Sequence, residues 1–87
     1  MTKEILLSTS SQHQFSHLEK KIQLRVREAL KILASEGTGD IKKLKGINNR
    51  EDLFRLRVGE YRIIYFTTST SINIVKIIHR SEGYDWL

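Results

Sequence analysis

Hydrophobic and polar residues alternate most regularly in the stretch that begins at Leu53. From residues 53 to 58, apolar positions alternate with Arg55 and Arg57, which is the period of two typical of a half-buried strand. Gly59 then occupies the first central position of a two-residue hairpin loop, where a type II′ turn needs φ > 0. A second strand follows to about residue 67. The alternation places Arg55, Arg57 and Arg62 together on one face of the predicted hairpin.

The rest of the chain predicts two helices and two further strands. Residues 4–8 form a short apolar run, interpreted as a strand that is buried on both faces and internal to the sheet. Residues 11–18 and 20–35 are predicted helices, and residues 40–52 a polar connection. The second helix ends before Gly37 and carries an apolar stripe of Ile22, Val26, Ala29, Leu30 and Leu33, with Leu24 and Ile32 off it. The last strand spans residues 71–79.

This order of elements, β-α-α-β-β-β with a short C-terminal tail, predicts an α+β fold. Both helices would pack on one face of a small, mostly antiparallel sheet. The arginines of the hairpin would line the other face. The length of 87 residues suits one domain with one modest core, so residues 1–87 are predicted to form a single domain.

The charge of the chain predicts an acidic partner. The formal net charge is +5. Residues 41–87 contribute nine basic and five acidic side chains, or +4 of that total. The basic character therefore belongs to the half that contains the hairpin, and it favours a nucleic acid or an acidic protein as partner.

Several classes of site and location are disfavoured by what the sequence lacks. There is no cysteine, which excludes disulfides and cysteine-based zinc sites and agrees with a cytoplasmic location. No apolar run reaches the roughly 20 residues of a membrane span, and no signal peptide is visible. His13 and His17 have helical spacing, but they lack the glutamate pattern of a zinc site. We expect neither metal nor cofactor.

A cluster of basic residues suggests that the partner is RNA. Three lysines, Lys42, Lys43 and Lys45, lead into the hairpin, and Arg80 follows the last strand. Tyrosines and a tryptophan, namely Tyr61, Tyr65, Tyr84 and Trp86, could stack on unpaired bases. A simpler interpretation is that the arginines form an ordinary solvated surface whose stems cover apolar neighbours.

RNA cleavage is a reaction that such a set of residues could support. The 2′-OH of the substrate can attack the adjacent phosphate, so the protein needs to supply orientation, positive charge and proton transfer. Arginines provide the charge through bidentate contacts. Tyr84 could transfer a proton if cations such as Arg80 lowered its pKa, or it could simply pack. His79 is interpreted as structural.

The pattern around the hairpin resembles the RelE/ParE superfamily of toxins from toxin–antitoxin pairs. The resemblance is carried by Lys43-Leu44-Lys45-Gly46, by Phe54 to Tyr65, and by His79-Arg80 with Tyr84 downstream. It implies a RelE-like fold and a toxin that enters the ribosomal A site and cuts mRNA, leaving a 2′,3′-cyclic phosphate. It also implies an acidic cognate antitoxin, RelB-like, in a possible toxin–antitoxin hetero-oligomer.

The resemblance also assigns roles to individual residues. Arg55 falls where a catalytic lysine or arginine sits, and Arg62 where the transition-state arginine sits. Arg80 and Tyr84 match the C-terminal arginine and tyrosine. Arg57 would contact the RNA backbone. The basic cluster, rather than the resemblance, makes Lys42, Lys43 and Lys45 candidates for RNA contact.

The chain departs from the family pattern at two points, and two alternative functions therefore stay open. Leu53 replaces the lysine that many RelE members carry, and no carboxylate–histidine pair is matched. The first alternative is the ParE branch, which shares the fold but inhibits DNA gyrase without nuclease activity. The second is a basic RNA- or protein-binding domain without enzymatic activity. Arg62, Arg80 and Tyr84 together favour the endoribonuclease.

Overall fold

The computed structural model of the chain describes residues 2–46 and 50–82. It contains two helices and five strands. In chain order they are β1 (Glu4–Leu7), α1 (Thr9–Ser16), α2 (Lys20–Glu36), β2 (Ile41–Lys43), β3 (Phe54–Val58), β4 (Tyr61–Thr67) and β5 (Ser71–His79). None of the helices in the described part of the chain is both long and apolar enough to cross a bilayer.

The five strands form one sheet in the order β1-β5-β4-β3-β2. Only β1 and β5 pair in parallel, and the other neighbouring strands are antiparallel. Both helices contribute to the apolar cluster on one side of this sheet. The predicted α+β class, with the helices packed on one face of a mostly antiparallel sheet, is therefore confirmed.

The main core lies between α2 and the sheet. On α2 the buried residues are Val26, Leu30, Leu33 and Ala34. Their spacing of three and four residues places them on one helix face, which is the predicted apolar stripe. They pack against the sheet residues Leu56, Ile63, Tyr65, Ile72, Ile74 and Ile77. Burial of this continuous apolar surface holds the helices on the sheet.

Strand β1 lies at the edge of the sheet, so the prediction of an internal strand is wrong. It pairs only with β5, and Leu6 is 43% exposed. Ile5 and Leu7 pack on the core from the other face. A short apolar run predicts burial on both faces. The position of a strand within the sheet, however, is decided by the fold as a whole, and in this fold Leu6 is partly exposed to solvent.

A fifth strand, β2, lies where a polar connection was predicted. Ile41–Lys43 pairs with β3, and the Lys42 position faces Arg55. Only three residues long and carrying two lysines, it has the short, charged character that suits an edge strand. It extends the sheet by one strand on the side of the hairpin.

The face away from the helices is not wholly polar. Leu44, Leu53 and Ile64 are buried there as a second apolar cluster, with Phe66 and Val75 packed against it. Leu53 is completely buried, which explains an apolar residue at the position where the family resemblance predicts a lysine. This second cluster lies beside the arginines on the same face of the sheet.

The helix and turn boundaries agree with local rules. Helix α1 begins two residues earlier than predicted, because Ser8 is its N-cap and Ser8 Oγ accepts a hydrogen bond from Ser11 N at 3.0 Å. Gly37 ends α2 with a φ of 71°, in the left-handed region. Gly59 has a φ of 59°, as the predicted hairpin turn requires.

Candidate nucleic-acid interface

Strand pairing brings the predicted cations onto the sheet face away from the helices. Lys42 lies opposite Arg55 in the next strand, and Arg57 lies opposite Arg62. Residues directly opposite in neighbouring strands share a face. Arg55 and Arg57 are two residues apart in β3, so all four side chains belong to the same face.

These side chains line two adjoining depressions, which we call the arginine cleft. The first, of about 330 Å³, is lined by Lys42, Leu44, Arg55, Arg57 and Arg62. The second, of about 250 Å³, is lined by Arg57, Gly59, Glu60, Tyr61, Arg62 and Arg80. Arg57 and Arg62 contribute to both depressions. The two depressions therefore adjoin at Arg57 and Arg62, and together they extend from β2 to the hairpin turn and the end of β5.

Asp40 places a carboxylate beside two of the arginines. Arg57 Nε donates to Asp40 Oδ2 at 2.8 Å, and Arg55 Nη2 lies 3.6 Å from Asp40 Oδ1. Arg57 would otherwise face Arg62 directly across the strand pair, an arrangement of like charges that destabilises a sheet. Asp40 compensates part of that repulsion.

Glu60 provides a second carboxylate at the far end of the cleft. Its side chain forms an ion pair with Arg80. The backbone N–H of Arg80 also donates to the carbonyl oxygen of Glu60 at 2.7 Å. The hairpin turn therefore fixes Arg80, the first residue after β5, next to the arginines of β3 and β4.

Arg55 has a more buried side chain than Arg57 or Arg80. Only 12% of its side chain is exposed, against 60% for Arg57 and 68% for Arg80. Its Nε is buried and has no hydrogen-bond partner among the described residues. Packing holds the Arg55 side chain in the sheet, so it presents a positive charge from a fixed position.

The other predicted site residues lie outside the cleft or outside the described residues. Lys43 pairs with Phe54, so it belongs to the opposite face from Lys42. Lys45 is exposed beyond the end of β2. Tyr84 lies outside the described residues, as does Trp86. Of the predicted set, the structure brings together Lys42, Arg55, Arg57, Arg62 and Arg80.

Tyr65 does not provide the predicted stacking surface beside the arginines, whereas Tyr61 lines the second depression of the cleft. Tyr65 is buried in the core under the helices, stacked against Phe54 with ring centroids 5.6 Å apart. Tyr61 packs against the same core and contacts His79 edge-on. Alternation along β4 sends both tyrosines to the face opposite Arg62.

Burial of Tyr65 gives the fold a defined response to alkaline pH. Burial raises the pKa of its phenol above the ordinary value of 10.0. The neutral form is favoured in the folded chain, so this contribution to stability is present below pH 10 and is lost as the pH rises through the folded pKa. We expect the urea-unfolding free energy to fall less between pH 8 and pH 11 in Tyr65→Phe than in the wild type. Equal losses in both proteins would contradict this expectation.

The histidines contact neighbouring side chains. His79 Nδ1 lies 2.9 Å from Ser81 Oγ, and the His79 ring packs on Tyr61. His13 and His17 contact each other with ring centroids 4.4 Å apart. Within residues 2–46 and 50–82, no group of three or more histidine, aspartate or glutamate side chains is placed to hold a metal ion.

Three charged residues of this face are missed by sequence reasoning. Lys76 lies opposite Ile64 and so belongs to the arginine face. Asp40 and Glu60 are the carboxylate partners of the cleft arginines. Strand alternation could have placed Lys76. No local pattern identifies Asp40, because its pairing with Arg57 depends on the position of β2 beside β3.

Comparison with protein families gives one match over almost the whole chain. Residues 3–84 match the family described as "ParE toxin of type II toxin-antitoxin system, parDE". The chain is also 33% identical over 75 residues to Toxin RelE3 of Methanocaldococcus jannaschii, with 85% of this chain and 82% of the relative covered.

Solved structures share the fold. The archaeal RelE–RelB complex from Pyrococcus horikoshii has a chain that matches with a TM-score of 0.77 and 28% identity, covering 95% of this chain and 100% of that one. A RelB–RelE antitoxin–toxin complex from Methanococcus jannaschii matches with a TM-score of 0.74 and 24% identity, covering 94% of this chain and 98% of that one.

Proposed function

Because the chain belongs to the RelE/ParE superfamily of type II toxin–antitoxin toxins, we propose that it is a ribosome-dependent mRNA endoribonuclease. It is a RelE-like toxin, and its relatives include structures solved with an antitoxin. In the proposed reaction the toxin enters the A site of a translating ribosome in the cytoplasm and cuts the mRNA there. Translation stops because the message is broken.

The observation that carries this proposal is the row of arginines that lines the two adjoining depressions of the arginine cleft. Arg57 and Arg62 line both of its depressions, and Arg80 lies at the end of the second. A row of fixed guanidinium groups suits an RNA backbone, because each group can donate two parallel hydrogen bonds to one phosphate. The helices cover most of the opposite face of the described sheet, so the cleft lies on the open face, where RNA has access.

The proposed cleavage uses the substrate's own nucleophile. The 2′-OH attacks the adjacent phosphorus, the bond to the 5′ oxygen of the next nucleotide breaks, and a 2′,3′-cyclic phosphate remains. Negative charge accumulates on the phosphate oxygens in the transition state. Arg62 and Arg80 are assigned to stabilise that charge, while Arg55 supplies a fixed positive charge and Arg57 with Lys42 holds the RNA backbone.

Proton transfer is assigned to Tyr84. The 2′-OH must lose a proton and the departing 5′ oxygen must gain one, and arginine serves poorly because its pKa exceeds 12. Tyr84 follows Arg80 by four residues in the sequence, and a cation close to its phenol would favour the ionised form. Lys43 and Lys45 are proposed to contact RNA outside the cleft.

A cognate antitoxin is the proposed protein partner. The relatives of known structure include RelB–RelE complexes, which supports a hetero-oligomer of this kind. The outer surface of α2 carries two exposed apolar residues, Leu24 at 63% and Ile32 at 38%. We propose that an apolar segment of the antitoxin covers them.

Inhibition of DNA gyrase is the alternative function. The matching family is described by the name of the ParE toxin, which favours this alternative. In the ParE branch the fold acts by binding, without cutting RNA. The arginine cleft would then hold a protein or a nucleic acid.

An in vitro translation reaction distinguishes the two functions. Purified protein is added to the reaction, and the 5′ ends of the mRNA are mapped by primer extension. We expect cuts at defined codon positions, and only on mRNA that is being translated. The control is the same mRNA without its start codon, which should stay intact.

Two results would contradict the nuclease proposal. One is an intact message with continued translation, which would direct attention to a gyrase supercoiling assay. The other is equal cutting of translated and untranslated mRNA, which would exclude dependence on the ribosome. Inhibition of supercoiling by the same protein preparation would establish the alternative.

A further inference from the structure

Two carboxylates of the chain occupy donors that an RNA phosphate would need. Asp40 accepts from Arg57 Nε at 2.8 Å, and Glu60 pairs with Arg80. We propose that Asp40 and Glu60 fill two phosphate subsites of the arginine cleft in the free protein and compete there with RNA. This inference rests on the proposed function, because it takes RNA to be the ligand of the cleft.

Both carboxylates are held in place by the backbone of the arginine that they bind. Arg57 N donates to the Asp40 carbonyl oxygen at 3.0 Å, and Arg80 N donates to the Glu60 carbonyl oxygen at 2.7 Å. Each acid therefore makes one backbone and one side-chain contact with the same arginine. The repeated arrangement keeps each carboxylate within reach of its guanidinium whether or not RNA is present.

The two subsites lie next to each other in the arginine cleft. Arg57 lines both depressions of the cleft, and Arg80 lies in the second. A single RNA strand that follows the cleft would meet first one subsite and then the other. Guanidinium groups bind phosphates and carboxylates through similar, often bidentate, hydrogen bonds, so a phosphate can take the place of each carboxylate.

The side-chain contacts are exposed enough to be displaced. The side chains of Asp40 and Glu60 are 47% and 57% exposed. Ion pairs of this kind contribute little to stability, so a phosphate held in register can displace the carboxylate. A freely diffusing RNA lacks that register and competes poorly. The carboxylates thus favour RNA that is already positioned, as it is on a ribosome.

The test measures binding of single-stranded RNA that is 2′-O-methylated and therefore cannot be cleaved. The variants are Asp40→Asn and Glu60→Gln, with Asp52→Asn as the matched control. Asp52 accepts two hydrogen bonds from Arg50, at 2.9 and 2.8 Å, and neither residue lines the cleft. Each substitution raises the net charge by one, so the control accounts for the general effect of charge.

We expect Asp40→Asn and Glu60→Gln each to bind RNA about fivefold more tightly than Asp52→Asn. The slope of log affinity against log salt should steepen by about 0.7 for each additional RNA phosphate that the variant neutralises. Asp40→Glu, which keeps the charge, should bind like the wild type. Affinities of both test variants equal to that of Asp52→Asn would overturn the proposal.

The outcome is independent of the nuclease assay. If Asp40→Asn fails to fold, Glu60→Gln decides alone, because Glu60 lies in an exposed turn. If the protein never cuts mRNA but the variants show the expected ratio of RNA affinities, the two subsites are supported and the nuclease assignment is rejected. If the protein cuts translated mRNA but Asp40→Asn and Glu60→Gln bind RNA like Asp52→Asn, the nuclease assignment is supported and the subsites are rejected.

Discussion

An Arg62→Ala variant is expected to cut translated mRNA about 10²–10³-fold more slowly than the wild-type chain, which is the usual loss when one transition-state donor is removed. Arg62 is common to both depressions of the arginine cleft. The charge that builds on the phosphate in the transition state would lose a guanidinium that lines both depressions. Primer-extension time courses in a translation reaction measure the rate.

The matched control for Arg62 is Arg27→Ala. Arg27 lies on α2, where its guanidinium is 5.5 Å from the ring centroid of Phe15, on the helical side of the sheet. The control removes the same charge far from the cleft and should leave the cleavage rate within about twofold. Circular dichroism and antitoxin binding establish that both variants fold. Cleavage by Arg62→Ala at the wild-type rate would remove Arg62 from the site.

An Ile63→Ala variant is expected to be less stable by about 2–5 kcal/mol. Ile63 is completely buried in β4, with Leu56 opposite in β3 and Ile77 opposite in β5. The substitution leaves a cavity at the centre of the core, and well-packed neighbours fill it only in part. Each kcal/mol should lower the melting temperature by about 4–8 °C in a domain of this size.

Urea unfolding of Ile63→Ala tests this expectation, with Leu24→Ala as the control. Leu24 is 63% exposed on α2, so its truncation should change the free energy of unfolding by no more than about 0.5 kcal/mol. The dependence on urea should keep the same slope, which indicates that the folded and unfolded states keep their exposed surfaces. Similar losses in the two variants would mean that Ile63 is not at the centre of the core.

Local sequence patterns predict the elements that depend on near neighbours. The hairpin at Gly59 follows from a residue that tolerates positive φ, and the stripe of α2 follows from helical spacing. The same alternation of residues places Arg55, Arg57 and Arg62 on one face before the fold is known. In each case the signal lies within a few residues of the structure that it specifies.

The features that the sequence does not predict depend on distant parts of the chain. The edge position of β1 is set by its pairing with β5, at the other end of the described chain. Asp40 becomes a partner of Arg57 only when β2 lies beside β3. Alternation with Arg62 indicates the side of the sheet that Tyr65 faces. The helices that cover this side, and so prevent Tyr65 from stacking on RNA bases, come from a distant part of the chain.

The position of β5 determines when the sheet can be completed during synthesis. β5 is the last of the described strands to leave the ribosome, yet it lies between β1 and β4. Until it emerges, β1 has no neighbouring strand in the described sheet, and the hairpin of β3 and β4 lacks support on one side. Translation of β5 after β4 takes on the order of a second. The complete sheet therefore forms only after β5 has been synthesised and has joined β1 to the hairpin.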